Sequence, residues 1–305
     1  MRAFVGITDY AWYQSLAGRG YDEVNFWKPG GNVNFKALTP GELFLFKLHA
    51  PYNAIVGGGF FVRFSLLPSF LAWEAFGTKN GTETFGQLET RIAKYRKSQG
   101  PNPQIGCIIL NSPFFFSESD WIAAPPNWGK SIVQGKTYDD TTQEGAALLE
   151  AVHQRLGGLY GYGHHETDGA SNVREGQYLA TYRIGQGTFR VLVTEAYNRR
   201  CAISGEKTLP VLDAAHIVPF SEEGSYSVKN GLLLRTDIHT LYDKGYLTVT
   251  PDYHVEVSNR LKSEYGNGKI YYAYHGLQLP NLPLEEQERP SPSFLAWHTE
   301  HVYKG

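Results

Sequence analysis

The chain has 305 residues, enough for two domains of ordinary size, and 42% of them are hydrophobic. Its 28 basic and 30 acidic residues give a net charge of −2, which argues against a broadly basic nucleic-acid-binding protein. Two cysteines are too few for a disulfide framework or a four-cysteine zinc site. No apolar run is long enough to cross a membrane, and the opening segment MRAFVGITDYAW lacks the apolar core of a signal peptide. We therefore expect a cytoplasmic protein that does not bind membranes.

Residues 1–156 are predicted to form an α+β domain. Strands are indicated by apolar runs that are rich in β-branched and aromatic residues and are separated by Gly and Pro: RAFVGIT, GELFLFKLH, AIVGGGFFVRFSLL and QIGCIILNSPFFF. Helical spacing of apolar residues predicts helices in PSFLAWEAFG, TFGQLETRIAKYRKSQG and TTQEGAALLEAVHQRLGG. Mixed strands with peripheral helices favour a compact, barrel-like arrangement.

Residues 157–176 are rich in Gly and polar residues and are predicted to be a linker. A second domain, 177–305, follows it. Here TFRVLVTEAYNRRCAISG predicts an amphipathic helix with an apolar side made of Phe189, Leu192, Val193 and Tyr197. LPVLDAAHIVPF and NGLLLR predict two strands, and TDIHTLYDKG predicts a helix. Thr236 is the expected N-cap of that last helix, and Gly245 lies just past its end. The order strand, strand, helix predicts a ββα unit.

Three polar residues fall on this ββα unit: His216 on the first strand, Asn230 at the start of the second, and His239 on the helix. Taken singly, they fit a core histidine, an Asn-Gly turn and a surface histidine. Taken in series, they have the residue types that phosphodiester hydrolysis needs, since a base must activate water and a cation must offset charge on the phosphate.

The segments CAISG, LDAAHIVPF and GSYSVKNGLLLRTDIHTLYDKGYLTV together resemble the bacterial HNH endonucleases. In these, a His-Ile-x-Pro strand is followed by Asn-Gly-Leu-x-Leu and then by His-x-Leu-Tyr/Phe-Asp-x-Gly. The resemblance covers about residues 180–300 and implies a ββα-metal nuclease fold. It implies that His216 is the general base, that Asn230 holds His216 or its loop by an amide hydrogen bond, and that His239 binds a divalent metal ion. Mg²⁺ is the expected ion, with Mn²⁺, Ni²⁺ and Zn²⁺ as alternatives.

Further metal ligands are expected from two carboxylates. Asp243 follows His239 by four residues and therefore shares its helix face. Many HNH enzymes have an acidic residue or a histidine immediately before the base, but this chain has Ala215 there. Asp213, two residues earlier on the same strand face, is the expected substitute. Cys201 stands where some HNH proteins begin a zinc knuckle, but the second cysteine is missing, so no structural zinc is expected.

The segment FKALTPGELFLFKLHAPYNAIVGGGFF resembles the PUA-like barrels, a group that includes the EVE, ASCH and YTH domains and, more distantly, SRA domains. Several members read a modified base flipped out of the duplex, so the resemblance implies a base pocket in this domain. The residues predicted to read the base are Trp27, Trp12, Tyr52, Asn25, Asn32 and Asn53. Taken singly, each of these aromatic residues also fits a core position.

Local basic clusters are the candidates for contact with the DNA backbone: Arg190, Arg199 and Arg200 beside the HNH site, and Arg91 and Lys94 in the first domain. Solvated surface charge is the alternative interpretation of these clusters.

The sequence therefore predicts a metal-dependent DNA endonuclease in which a PUA-like domain recognises double-stranded DNA with a modified base and the HNH domain cuts it. A homodimer would allow both strands to be cut. Two alternatives remain at this point: an HNH effector nuclease gated by a small ligand, and a catalytically degenerate nucleic-acid reader, which Ala215 would favour.

Overall fold

The computed structural model describes residues 1–30, 34–96, 102–129, 131–159, 184–219, 222 and 225–305. The chain divides into two units, Met1–Gly185 and Gln186–Gly305.

The first unit is built on a seven-stranded sheet. Its strands are β1 (Arg2–Thr8), β2 (Glu23–Lys28), β3 (Leu43–Leu48), β4 (Ala54–Pro68), β5 (Gln104–Phe115), β6 (Ile122–Ala123) and β7 (Gly135–Asp139). The strand order is β2-β5-β4-β3-β1-β7, and β6 pairs with β4. The pair β1–β3 is parallel, and the other pairs are antiparallel. The strands predicted from the four apolar runs are all present, whereas β2, β6 and β7 were not predicted.

The sheet curls around an aromatic core. The ring centroids of Phe26 on β2 and Phe44 on β3 are 4.7 Å apart, although two strands separate β2 from β3 in the sheet. Gly6 on β1 leaves room for both rings, because a Cβ there would lie 2.4 Å from Phe44 Cζ and 3.2 Å from Phe26 Cζ. The predicted α+β class is confirmed. The predicted barrel is a strongly curved open sheet, since within the described residues β2 and β7 are the two ends of the strand order.

Four helices belong to the described part of the first unit: α1 (Tyr10–Leu16), α2 (Ser69–Phe76), α3 (Phe85–Lys94) and α4 (Gln143–Leu159). Helix α1 was not predicted. It begins after Asp9, whose side chain accepts a hydrogen bond of 2.7 Å from Trp12 N and so caps the first turn. Helix α4 extends into the first residues of the predicted linker, and the remainder of that linker, from residue 160, lies outside the described residues.

The second unit contains two short hairpins and five helices within the described residues. The strands are β8 (Leu212–His216), β9 (Gly231–Arg235), β10 (Leu247–Val249) and β11 (Val255–Val257). The helices are α5 (Gln186–Ala196), α6 (Thr236–Asp243), α7 (Arg260–Tyr265), α8 (Lys269–Tyr272) and α9 (Pro292–His301). The predicted ββα unit is β8, β9 and α6, with β8 and β9 antiparallel.

The N-cap assigned to α6 from the sequence was wrong by one residue. Arg235 occupies the cap position and Thr236 is the first helical residue. The Thr236 hydroxyl donates to Val211 O at 3.1 Å, so it ties the helix to the segment before β8 instead of capping it. Gly245 lies past the helix end at φ +72°, as its position in the sequence indicated.

None of the helices in the described residues is both long enough and apolar enough to cross a membrane.

Candidate nuclease site and candidate base pocket

His216 is the last residue of β8 and pairs in register with Gly231 of β9. Its imidazole stacks on the Phe189 ring, with centroids 4.1 Å apart and planes 10° from parallel. Nε2 is buried and has no hydrogen-bond partner among the described residues. Burial lowers the pKa of His216 below its ordinary 6.5, and the nearby His239 lowers it further. The ring is therefore neutral at pH 7, the form in which an imidazole accepts a proton.

Asn230 is fully buried and fixes the chain that follows His216. Its Oδ1 accepts from Val218 N at 2.9 Å, and its Nδ2 donates to Val218 O and Ser225 O, both at 2.9 Å. Its backbone carbonyl accepts from Ile217 N at 3.0 Å. The amide therefore holds the loop that leaves β8, and these bonds go to that loop and not to the imidazole.

His239 lies on α6 between two carboxylates. Its Nδ1 is 3.5 Å from Asp213 Oδ2 on β8, and its Nε2 is 3.4 Å from Asp243 Oδ2 one helical turn further on. Burial raises the pKa of Asp243 and the negative charge of Asp213 raises it further, while His239 acts in the opposite direction. Asp213 Oδ1 also lies 3.6 Å from Arg190 Nη1. The three metal-ligand candidates are thus neighbours.

The donor set of this cluster fits a divalent cation, with one restriction. Two ligands about 2.1 Å from one ion are separated by about 3.0–3.4 Å, close to each His239–carboxylate distance. However, the two nitrogens of one imidazole point in divergent directions and cannot bind the same ion. The described residues contain no group of three His, Cys, Asp or Glu side chains arranged to hold a metal ion. One carboxylate can share the ion with His239, and the other can orient the ring from its opposite nitrogen.

Ala215 is fully buried in the hydrophobic core of this unit, so no ligand approaches the site from that position. Cys201 is also buried there, and its Sγ accepts hydrogen bonds from Ser204 N at 3.4 Å and Arg235 N at 3.3 Å. Both residues therefore contribute to packing of the ββα unit.

Two aromatic residues at His216 were missed by the sequence analysis. Phe189 was identified only as part of the apolar face of a helix, and Tyr226, whose ring meets His216 edge-on at 5.4 Å, was not identified at all. The apolar period of α5 placed Phe189 on one side of the helix, but it carried no information about which side chain Phe189 would contact.

In the first unit a cavity of about 340 Å³ opens where the C-terminal ends of β1 and β2 approach each other. It is lined by Ile7, Thr8, Asp9, Trp12, Phe26, Trp27, Lys28, Pro29, Gly30, His49, Tyr95, Val133 and Gln134. Trp27 is half-buried, and its Nε1 donates to Asn80 O at 3.0 Å, which fixes the ring. Tyr95 and Val133 are 59% and 76% exposed, so the mouth of the cavity is apolar and open to solvent.

The structure does not bring all the predicted base-reading residues to this cavity. Trp12 borders it but is only 3% exposed. Asn25 is fully buried and donates to Asn80 Oδ1 and Cys107 Sγ, and it is not among the lining residues.

The other predicted base readers within the described residues do not line the cavity either. Tyr52 is exposed and stacks on Tyr10, away from the lining. Asn53 is exposed and accepts from Lys47 Nζ at 3.2 Å. Asn32 lies outside the described residues.

The candidate DNA-contacting cations differ in how strongly they are held. Arg190 donates to Leu212 O and faces Asp213, and Arg91 donates to Gly81 O. Lys94 and Arg200 are exposed, and Arg199 is half-buried at φ +58°. Exposed cations are better placed for phosphate contact than cations that already bond to the protein.

Residues 201–250 match the family model of the HNH endonucleases. The match contains the strand, loop, strand and helix that carry His216, Asn230 and His239, so this part of the chain is an HNH endonuclease domain and the protein is a nuclease.

A search of curated proteins found no match. Among solved structures, the chain is similar to ASCH from Zymomonas mobilis, at 7% identity and a TM-score of 0.27 over 36% of this chain and 66% of that one. A mutant of the same ASCH protein aligns at 8% identity and a TM-score of 0.33, over 49% of this chain and 97% of that one. The modification-dependent restriction endonuclease TagI aligns at 13% identity and a TM-score of 0.28, over 97% of this chain and 81% of that one.

Proposed function

We propose that this nuclease is a metal-dependent DNA endonuclease that is directed to its substrate by a modified base. The observation that supports the hydrolytic site is the convergence of a neutral histidine, His216, and a histidine–carboxylate cluster around His239 on one ββα unit. The observation that supports the base pocket is the cavity beside Trp27.

In the proposed reaction, His216 removes a proton from the attacking water as the phosphodiester bond is hydrolysed. Its lowered pKa keeps it unprotonated and ready at neutral pH. Asn230 fixes the loop after β8 and so limits movement of the strand end that carries the base. A divalent ion held by His239 with Asp243 or Asp213 would offset the negative charge that develops on the phosphate and the leaving oxygen. Mg²⁺ is proposed, with Mn²⁺, Ni²⁺ and Zn²⁺ as the alternatives that an imidazole–carboxylate pair accepts.

The cavity is proposed to receive a base flipped from the duplex. Its volume lies within the ordinary range for small-molecule sites, about 300–1,000 Å³. Trp27 supplies an aromatic face, and stacking on such a face contributes about 1–3 kcal/mol per base. Asp9, Lys28 and His49 on the lining supply polar groups that could distinguish one base edge from another.

One hydrolytic site per chain cuts one strand, so we propose that two chains act together on duplex DNA in the cytoplasm. The deciding experiment is cleavage of matched duplexes that carry cytosine, 5-methylcytosine, 5-hydroxymethylcytosine or a glucosylated base, each with and without added divalent metal. Metal-dependent cleavage of at least one modified duplex, with the unmodified duplex resistant, is the expected result. Equal cleavage of all four would overturn the modified-base proposal and favour a nuclease gated by a small ligand. No cleavage, together with DNA binding, would favour a reader.

A further inference from the structure

Helix α5 contributes to the surroundings of His216 although it precedes the segment that matches the HNH family model. Phe189, on this helix, is 1% exposed, and its ring lies nearly parallel to the imidazole at a centroid distance of 4.1 Å. Tyr226 closes a second side, with its ring 5.4 Å from His216 and 6.0 Å from Phe189. The imidazole is therefore confined by one ring face and one ring edge.

The Phe189 ring is itself held in place by close packing against β9. Gly231 pairs with His216 in the hairpin, and a Cβ at Gly231 would lie 2.4 Å from Val193 Cγ2 and 3.1 Å from Phe189 Cζ. Gly231 has ordinary strand angles, φ −127° and ψ 141°, so the glycine is needed for space and not for its backbone conformation. Helix α5 thus lies directly against the strand residue opposite His216, which leaves Phe189 little room to move.

We propose that Phe189 is a positioning residue for His216. Its ring fixes the plane of the imidazole and therefore the direction in which the proton-accepting nitrogen points. This inference rests on the proposed role of His216 as the base. A base works only within hydrogen-bond reach of the proton it removes, and a displacement of about 1 Å costs about 10²-fold in rate. An aliphatic side chain of similar bulk fills the core but leaves the imidazole free to rotate. Helix α5 is accordingly part of the hydrolytic site.

The test compares Phe189→Leu with the wild-type protein in the full-length chain. Leucine removes the ring but keeps an apolar side chain in the core. We expect Phe189→Leu to lower kcat for plasmid nicking by about 10- to 100-fold with an unchanged KM for DNA, because binding does not require the orientation of the base. Leu192→Ala is the matched control, since Leu192 lies on α5 and is 8% exposed but is not in the buried cluster that contains Phe189.

A spectroscopic readout covers the case in which Phe189→Leu does not fold. In the wild-type protein the stacked ring should shift the His216 ring-proton signals upfield. The signals are assigned by their loss in His216→Ala. Unshifted His216 signals in the wild-type protein would contradict the stacked geometry.

The kinetic outcomes separate this inference from the function on which it rests. A wild-type kcat in Phe189→Leu, with His216→Ala inactive, overturns the positioning role alone. An equal loss of kcat in Phe189→Leu and Leu192→Ala overturns it as well, because the effect would then follow general stability. Wild-type cleavage by His216→Ala overturns the proposed base and this inference together.

Discussion

The two candidate sites differ in how well residue type and spacing located them. In the second unit His216, Asn230 and His239 lie at the junction of β8, β9 and α6, although the last two follow the first by many residues. In the first unit the predicted base readers within the described residues are spread over the core, the surface and the cavity, and of these Trp27 and Trp12 border the cavity. A series of polar residues on a defined ββα unit specifies geometry, whereas aromatic composition alone does not.

The reason for the difference is local. In the ββα unit, hairpin register places Gly231 opposite His216, and the turn of α6 places Asp243 beside His239. These relations follow from periods of two in a strand and 3.6 in a helix. The cavity of the first unit depends instead on curling of a whole sheet, which brings the ends of β1 and β2 together. No short stretch of sequence encodes that approach.

The largest effect is expected from removal of the proposed base. His216→Ala should lower the cleavage rate by about 10²- to 10⁴-fold, the usual contribution of general base catalysis, with DNA affinity little changed. Plasmid nicking and DNA binding measure the two quantities. His254→Ala is the control, since His254 is an exposed histidine of the same unit with a side chain 42% exposed. Wild-type nicking by His216→Ala would rule out the assigned role.

Removal of single ligands tests the argument that His239 uses one nitrogen for the ion. His239→Ala should abolish Mn²⁺ binding measured by calorimetry. Of the two carboxylate variants, Asp243→Ala should have the larger effect and weaken Mn²⁺ binding by more than about 100-fold. Asp213→Ala should weaken Mn²⁺ binding by about 10- to 100-fold, which is the usual effect of losing a residue that orients a metal ligand. The reason is that Arg190 lies 3.6 Å from Asp213 Oδ1 and repels a cation there.

If Asp243→Ala cleaves DNA at the wild-type rate and Asp213→Ala is inactive, the second metal ligand is Asp213 on β8. Equal losses for both variants would contradict the use of a single nitrogen.

Acid should destabilise the second unit through His298. This buried side chain has Nδ1 2.9 Å from the Thr248 hydroxyl oxygen and Nε2 3.2 Å from Tyr242 O, and burial lowers its pKa from 6.5 to about 4. The unfolded chain therefore binds a proton as pH falls through 6.5, while the folded chain resists until about pH 4. Stability from this group is complete above pH 6.5 and declines by about 3 kcal/mol towards pH 4.

Urea unfolding at pH 7 and pH 4 measures the free energy of unfolding. Its decrease between the two pH values should be smaller in His298→Gln than in the wild-type protein. An identical pH dependence in wild type and His298→Gln would contradict the assignment.

Individual elements and residues show which features could be predicted from the sequence. The strands of the four apolar runs, helix α6 and the glycine that follows it were predicted, because each depends on neighbours along the chain. Helix α1 was missed although Asp9 caps it, since its seven residues are too few to show a helical period. Phe189 was placed on one side of an amphipathic helix, but its contact with His216 joins α5 to β8 across the core. Contacts of that kind depend on tertiary packing, which cannot be predicted from the local pattern of one sequence.

The smallest expected effect concerns the cavity. Trp27→Ala should reduce the preference for modified over unmodified duplex by about ten- to a hundredfold, because loss of stacking on the ring removes about 1–3 kcal/mol. The measurement is a binding titration of the full-length chain without divalent metal at about 150 mM salt, where exposed charges are screened. Tyr52→Ala is the matched control, since Tyr52 is an exposed aromatic residue that does not line the cavity, and it should keep the preference. If Tyr52→Ala removes the preference and Trp27→Ala does not, the base is read on the Tyr10–Tyr52 stack and not in the cavity.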